Sequence, residues 1–256
     1  MTNSLWQTIR ESTLNYASNE PILASFLHAT ILNHDSLDAA LSYHLASKLQ
    51  SPTASALSIR EVIQQAFEDD KNIVETICAD IIAIHERDSA CPDLAVPFLY
   101  YKGFHALQCY RVAHWLWNQK RESMALYLQN RISVEFGVDI HPAAKIGKGV
   151  MLDHATGIVI GETAVVEDNV SIMQSVTLGG TGKACGDRHP KVRKGVLIGA
   201  GAEILGNIEI GECSQVAAGS VVLKTVKPKT IVAGVPAKEV DHAPCAEPAK
   251  SMDHRI

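Results

Sequence analysis

The chain has 256 residues, with 28 acidic and 23 basic side chains, a formal net charge of −5 and 46% hydrophobic residues. That length carries one large or two ordinary domains with a real core, and the acidic balance argues against a general nucleic-acid binder, which is usually basic. The N-terminal MTNSLWQTIRESTLN has no apolar signal region, no apolar run approaches the ~18 residues of a membrane helix, and Cys78, Cys91, Cys109, Cys185, Cys213 and Cys245 form no CxxC pair, so a cytoplasmic chain with free thiols is expected.

Residues 1 to about 135 read as helices. Ser4 and Gln7 have capping-box spacing ahead of the first segment. Leu37, Leu41, Leu45 and Leu49 form one apolar stripe at i+4, and Pro52 then supplies a stop. Ile73, Val74, Ile77, Ile81 and Ile84 form a second stripe. A single long segment is predicted from Phe98 to about Gln119, rich in aromatics (Tyr100, Tyr101, Phe104, Tyr110, Trp115, Trp117) that suit helix packing or subunit contact.

Near Phe136–Asp139 the period changes from helical to six. Aliphatic residues recur at Ile140, Ile146, Leu152 and Ile158, then Ile160, Val166, Ile172 and Leu178, and after a gap Val192, Ile198, Ile204, Ile210, Val216 and Val222. A hexapeptide period marks a parallel β-helix of stacked coils, whose open end needs a cover that the helical half can provide. Domains are therefore expected at 1–137 (helical), 138–240 (β-helix) and 241–256, a tail without periodicity that is expected to be flexible.

Two irregularities interrupt the rhythm. Leu178 to Ile198 spans 20 residues where three hexads span 18, and the glycine- and cation-rich GGTGKACGDRHPKVRKG between them is predicted to leave the coil as a loop around Gly180–Lys191. A two-residue slip lies between Ile158 and Ile160, directly after Asp153-His154-Ala155-Thr156-Gly157. Extruded segments on a rigid scaffold are where function concentrates. His154 is the candidate base, since imidazole titrates near neutral pH, although a lone histidine also reads as an ordinary surface residue. Asp139, His141 and Asp153 lie close to it in the pattern, and the loop adds Arg188 and His189. A carboxylate on the second ring nitrogen would fix the tautomer, but spacing alone leaves an Asp139–His154 pair open. His141, His154 and His189 lack compact ligand spacing, so no metal is expected.

These residues together resemble the bacterial serine O-acetyltransferase family. The resemblance covers nearly the whole chain: EPILASFLHATIL, LSYHLASKLQSP and LYYKGFHALQCYRVAHWLWNQ in the helical half, then VDIHPAAKIGKGVMLDHATGIVIGETAVVEDNVSIMQSVTLGGTG, GDRHPKVRKGVLIGAGAEILGNIEIG and AGVPAK. Hexapeptide repeats alone indicate the broad acyltransferase superfamily, and the helical half with DHATG and GDRHP narrows it. The resemblance implies an α+β fold: an N-terminal all-α domain followed by a left-handed parallel β-helix of hexapeptide repeats with one extruded loop, an exception to right-handed crossovers. It implies trimers, or dimers of trimers joined through the helical halves, with active sites between subunits.

The activity it implies is acetyl transfer from acetyl-CoA to L-serine in a ternary complex, the first step of cysteine biosynthesis. His154 matches the base and Asp139 the carboxylate that orients it. Asp88 and Asp153 match acids facing the substrate amino group, Arg188 fits its carboxylate, and His189 matches a second site histidine. Gly180, Thr181, Ala200 and Ala218 are the implied pantetheine contacts. Lys224, Lys227, Lys229 and Lys238 read either as phosphate contacts or as a solvated basic edge. Cys185, in the loop, is read as incidental. L-Cysteine would be a feedback inhibitor, and the terminal Ile256 would dock into O-acetylserine sulfhydrylase. The readings kept beside this one are a hexapeptide-repeat acetyltransferase for another hydroxyl (a sugar, an antibiotic or homoserine) and a non-catalytic assembly protein.

Overall fold

The computed structural model describes residues 2–182, 185–243 and 247–254. Helix α1 (Thr2–Asn19) begins ahead of the predicted capping pair, so Ser4 lies in its first turn rather than at its cap. The short α2 (Ala24–Leu27) leads to α3 (Leu37–Leu49), where the predicted leucine stripe is wholly buried and Ser36 accepts from Ala39 N as the N-cap. Helices α4 (Ala56–Asp69) and α5 (Lys71–Arg87) follow. The predicted long aromatic helix is two: α6 (Ala95–Tyr100) and α7 (Lys102–Asn118), broken where Tyr101 takes an extended conformation. Pro97 and Gly103 flank that break. At the break the Tyr101 hydroxyl donates to Asp88 at 2.9 Å. Helix α8 (Glu122–Phe136) ends at Gly137, and the solenoid begins at once.

The solenoid has three faces. The first stacks β1 (Val138–Ile140), β4 (Ile158–Ile160), β7 (Thr177–Gly179), β10 (Glu203–Leu205) and β13 (Val221–Val222). The second stacks β2 (Lys145–Ile146), β5 (Val165–Val166), β8 (Lys191–Val192) and β11 (Glu209–Ile210). The third stacks β3 (Met151–Leu152), β6 (Ser171–Ile172), β9 (Leu197–Ile198), β12 (Gln215–Val216) and β14 (Thr230–Gly234), with β15 (Ala237–His242) antiparallel at its edge. Hexad aliphatics stack into the interior column: Ile140 on Ile160, Ile160 on Leu178, Leu178 on Ile204 and Ile204 on Val222.

This register corrects both predicted irregularities. Ile158 pairs with Val138 and Ile160 with Ile140, so the two extra residues lie within the 153–157 turn itself, not between Ile158 and Ile160. The loop is larger than the 20-against-18 comparison suggests. Val192 occupies the face that follows Leu178, and the coil from Val166 to Val192 is 26 residues against 18 from Val192 to Ile210, an insertion of eight. The comparison with three hexads was one hexad too many, because Ile198 lies only two faces beyond Leu178.

Buried polar bonds weld the helical half to the first coils. Asp80, fully buried, takes Arg111 Nη2 at 2.7 Å, Gln108 Nε2 at 3.1 Å and Val150 N at 3.0 Å. Arg111 also donates to Gly147 O at 2.8 Å, Tyr110 donates to Ala144 O, and Arg87 donates to Ser171 Oγ at 3.1 Å. A buried ion pair left with one partner is costly, so these links act as a unit.

The described part of the tail is docked, against the expectation of a flexible segment. β15 runs past residue 240 to His242, and α9 (Pro248–Ser251) buries Ala249 completely. Ser171 Oγ donates to Ala249 O at 2.8 Å, and Ala249 N donates to Gly195 O at 3.2 Å. The polar composition hid this because backbone groups and one small side chain make the contacts, not an apolar stripe.

Candidate active site

The 153–157 turn joins the third face to the first. His154 and Ala155 both have positive φ (53° and 59°), as does Gly157 (80°). Ala155 N donates to Asp153 O at 2.5 Å and Thr156 N to His154 O at 2.8 Å, two successive three-residue turns. Each left-handed non-glycine residue costs about 1–3 kcal/mol, a strain that persists only where surroundings impose it. Here α7 imposes it. Gly103 packs so closely that a Cβ would sit 2.1 Å from Leu152 O and 3.0 Å from Ala155 Cβ. Lys102 Nζ bonds Thr156 Oγ1, and Gly157 N donates to Gly137 O at 2.7 Å. The turn is thereby pinned from two sides, and His154 projects with its side chain 73% exposed.

One carboxylate lies beside that imidazole, and a second lies near the first. Asp153 Oδ1 lies 3.9 Å from His154 Nε2. Burial, with Asp88 nearby, pushes the Asp153 carboxyl above its ordinary range despite the pull of His154. Asp88, at the C-terminal cap of α5, accepts from Ala90 N at 2.8 Å and from the Tyr101 hydroxyl at 2.9 Å. Burial and that bond to Asp88 push the Tyr101 phenol upward, so it stays a donor. Asp139 faces outward on β1 and accepts from Gln129 Nε2 of α8 at 2.7 Å; among the described residues no hydrogen bond joins it to His154.

The eight-residue insertion leaves the first face at the opposite edge, in the turn to the second face. Arg188 Nη2 pairs with Glu162 Oε2 at 2.5 Å, and this bond holds the Glu162 carboxyl below its usual range. His189 is buried at 7% exposure, and its ring lies over Gly161, where a Cβ would meet Nε2 at 2.0 Å. Burial first and Arg188 second draw His189 below the ordinary imidazole range. His141, stacked edge-on against Trp117, is lowered chiefly by burial and feels Glu162 and Arg188.

The residues singled out from the sequence thus form two groups, not one. His154, Asp153 and Asp88 gather at the edge of the first face that the chain enters, while Asp139 lies in the middle of β1, where His141 feels its charge. Arg188, His189 and His141 gather at the edge where it leaves. The thin-ligand positions divide in the same way: Ala200 and Ala218 stand in the column of turns below His154, where Gly219 N donates to Ala200 O at 2.8 Å, while Gly180 and Thr181 begin the loop. Gly180 lies against Arg188, whose Cγ would be 3.3 Å from an added Cβ. Lys227 is paired loosely with Glu239 at 3.7 Å. Cys185 is a free, exposed thiol. Ile256 lies outside the described residues. Sequence reasoning missed Tyr101, Gln129, Lys102 and Thr163. Tyr101 was grouped with packing aromatics, and the others sit in regular helical or hexad positions that carry no distinguishing signal. Among the described residues no three His, Cys, Asp or Glu side chains are placed to hold a metal ion, and no helix is long and apolar enough to cross a membrane.

A hexapeptide solenoid capped by helices, with an exposed histidine in a strained turn, defines an acyltransferase of the hexapeptide-repeat class. Family profiles described as serine acetyltransferase, N-terminal, and bacterial transferase hexapeptide match residues 5–109 and 189–224. The chain is 57% identical to the serine acetyltransferase of Escherichia coli K12 over 252 residues, 98% of this chain and 92% of that one. It is 57% identical to the Haemophilus influenzae serine acetyltransferase over 99% of this chain and 95% of that one. Among solved structures, it resembles a serine acetyltransferase in complex with cysteine (TM-score 0.98, 56% identity, 100% of both chains). It also resembles one in complex with CoA (TM-score 0.91, 57%, 94% of this chain and 100% of that one). A third is the soybean enzyme complexed with serine (TM-score 0.92, 52%, 93% and 98%). The chain belongs to the serine acetyltransferase family and is an acyltransferase.

Proposed function

We propose that this chain transfers the acetyl group of acetyl-CoA to the hydroxyl of L-serine, giving O-acetyl-L-serine and CoA, with His154 as general base oriented by Asp139. The observation that carries this reading is the exposed His154 imidazole, held in a strained turn beside Asp153 and Asp88. A serine hydroxyl is a poor nucleophile until a base takes its proton. His154 takes that proton as the oxygen attacks the thioester carbonyl, and the imidazolium returns it to the departing thiolate. A base so placed contributes about 10²–10⁴-fold. Gln129 holds one oxygen of Asp139, leaving the other to receive the imidazole N–H. Asp88 and Asp153 receive the substrate ammonium, and Arg188 offers paired donors to its carboxylate.

Because the base group and the loop group occupy opposite edges of one face, each site is completed by the loop of a neighbouring subunit. This favours a trimer, or a dimer of trimers joined through the helical halves. Acetyl-CoA lies in the groove between subunits, against Ala200 and Ala218 of one and Gly180 and Thr181 of the next. L-Cysteine, alike in size and charge to serine, occupies the same subsite as a feedback inhibitor of this first step of cysteine biosynthesis; the similar enzyme holding cysteine supports this. The tail with Ile256 serves capture by O-acetylserine sulfhydrylase. Five free cysteines among the described residues fit a reducing cytoplasm.

The test is serine-dependent release of CoA thiol, with sugars and homoserine as competing acceptors. His154→Ala and Arg188→Ala should each be inactive, and their co-expression should recover about a quarter of wild-type activity if one chain's turn meets another's loop in random mixed rings. A folded wild type that ignores serine overturns the acceptor, and failure of the mixture to recover overturns the shared site.

A further inference from the structure

The hydrogen-bond arithmetic around Thr163 carries one more conclusion. Thr163 sits in the turn after β4, directly beneath the end of the inserted loop. Its hydroxyl oxygen accepts from Arg188 N at 3.0 Å and from His189 N at 3.1 Å. A hydroxyl has two lone pairs and one proton. Both lone pairs are taken, so the hydroxyl proton is free to be donated, either to His189 Nδ1 at 2.9 Å or to the Asp187 carboxylate, which bonds from Lys191 and then Thr163 help to hold below its ordinary range. The Thr163 backbone N–H also points at Nδ1, at 3.2 Å. The backbone N–H donates to Nδ1 whichever acceptor the hydroxyl takes, so Nδ1 is the unprotonated ring nitrogen.

We infer that Thr163 is a positioning residue that locks His189 as a neutral imidazole carrying its proton on Nε2, and so as a hydrogen-bond donor and never a base. This rests on the proposed assignment of His189 to the serine site. Protonating Nδ1 would set its N–H against the Thr163 backbone N–H, and burial beside Arg188 opposes the added charge as well. Nε2 has no hydrogen-bond partner among the described residues, yet it is not among the buried unpartnered atoms, so its N–H is open to a substrate oxygen. The surroundings agree. The charged neighbours are Glu162, which is bound to Arg188, together with Lys191 and His141. Lys191 Nζ bonds Thr163 O at 3.0 Å and Asp187 at 2.6 Å, tying the loop's exit to the same turn. The division of labour follows: the imidazole at one edge accepts a proton, and the imidazole at the other donates a hydrogen bond without losing its own.

Histidine-selective ¹⁵N NMR on the full chain, with His189→Gln identifying the resonances, tests the lock. The wild type should show an unprotonated Nδ1 and a protonated Nε2 that persist below the pH at which exposed histidines titrate. Thr163→Val keeps the shape and removes the O–H, so the His189 pKa should rise and the acid limb of kcat/KM for serine should gain an ionisation. kcat should fall about 10- to 100-fold, as expected for a slightly misplaced group, with the KM for acetyl-CoA little changed, and Thr163→Ser should restore both rate and profile. An Nδ1–H tautomer in the wild type, or an unchanged pH profile in a folded Thr163→Val, overturns the lock. Full activity in His189→Gln, with the tautomer as described, overturns the site assignment instead.

Discussion

The two insertions in the solenoid are held in opposite ways. The two-residue insertion at 153–157 is held by backbone: two successive left-handed residues, hydrogen bonds within the turn, and α7 pressed against it through Gly103. The eight-residue insertion before Val192 is held by side chains: Thr163 gathers two backbone donors and one ring nitrogen, while Glu162 holds Arg188. A short insertion cannot fold on itself, so it stores strain and needs an external clamp. A long one brings enough polar groups to be tied at its base. In the proposed mechanism the rigid turn presents the group that moves a proton, and the tied loop presents groups that recognise charge.

If the short turn depends on its clamp, Gly103→Ala should have the largest effect. Its Cβ would meet the Leu152 carbonyl oxygen, so α7 or the turn must shift. Overpacking of this kind costs about 1–3 kcal/mol, read as a lower denaturation midpoint. Displacing the base should lower kcat about 10²-fold. Wild-type kcat would show that the turn holds itself.

Gly161→Ala strikes the other insertion. The new methyl overlaps the His189 ring at 2.0 Å and must push it outward. The KM for serine should rise about tenfold, corresponding to about 1.4 kcal/mol, while the KM for acetyl-CoA and the denaturation midpoint change little. Equal effects on both substrates would mean that the loop shapes the whole groove.

The smallest difference lies in pH dependence. Asp153 must be ionised to hold an ammonium, and its raised pKa means that this is lost, on acidification, at a higher pH than for an ordinary carboxyl. His189 is drawn the other way, below the ordinary imidazole range, chiefly by burial. The acid limb of kcat/KM for serine should therefore shift in Asp153→Asn and keep its midpoint in His189→Gln, whatever the drop in rate. The reverse pattern would exchange the roles of the two edges.

Much of the architecture is legible in the residues, because a hexad column repeats one local rule thirteen times from Ile140 to Val222. The leucine stripe of α3 is legible for the same reason. The bond that Tyr101 makes at the break is not, since its partner Asp88 lies thirteen residues earlier in the chain. Nor is the docking of Ala249 on the third face, which backbone bonds make. His154 stands out in sequence because DHATG departs from the period, whereas Gln129 and Thr163 sit inside regular patterns and gain meaning only from what they touch.

Periodicity reports which side chains share a face, so the sequence alone sufficed for the helical cap, the coils and the two departures from them. It carries no information on which edge of a face each departure occupies, because that follows from how many residues turn each corner and from what packs outside. Tertiary structure decided that the base and the loop stand on opposite edges. Donors and acceptors saturate only once the coils are stacked, which is why the proton on His189 could not be placed from the sequence.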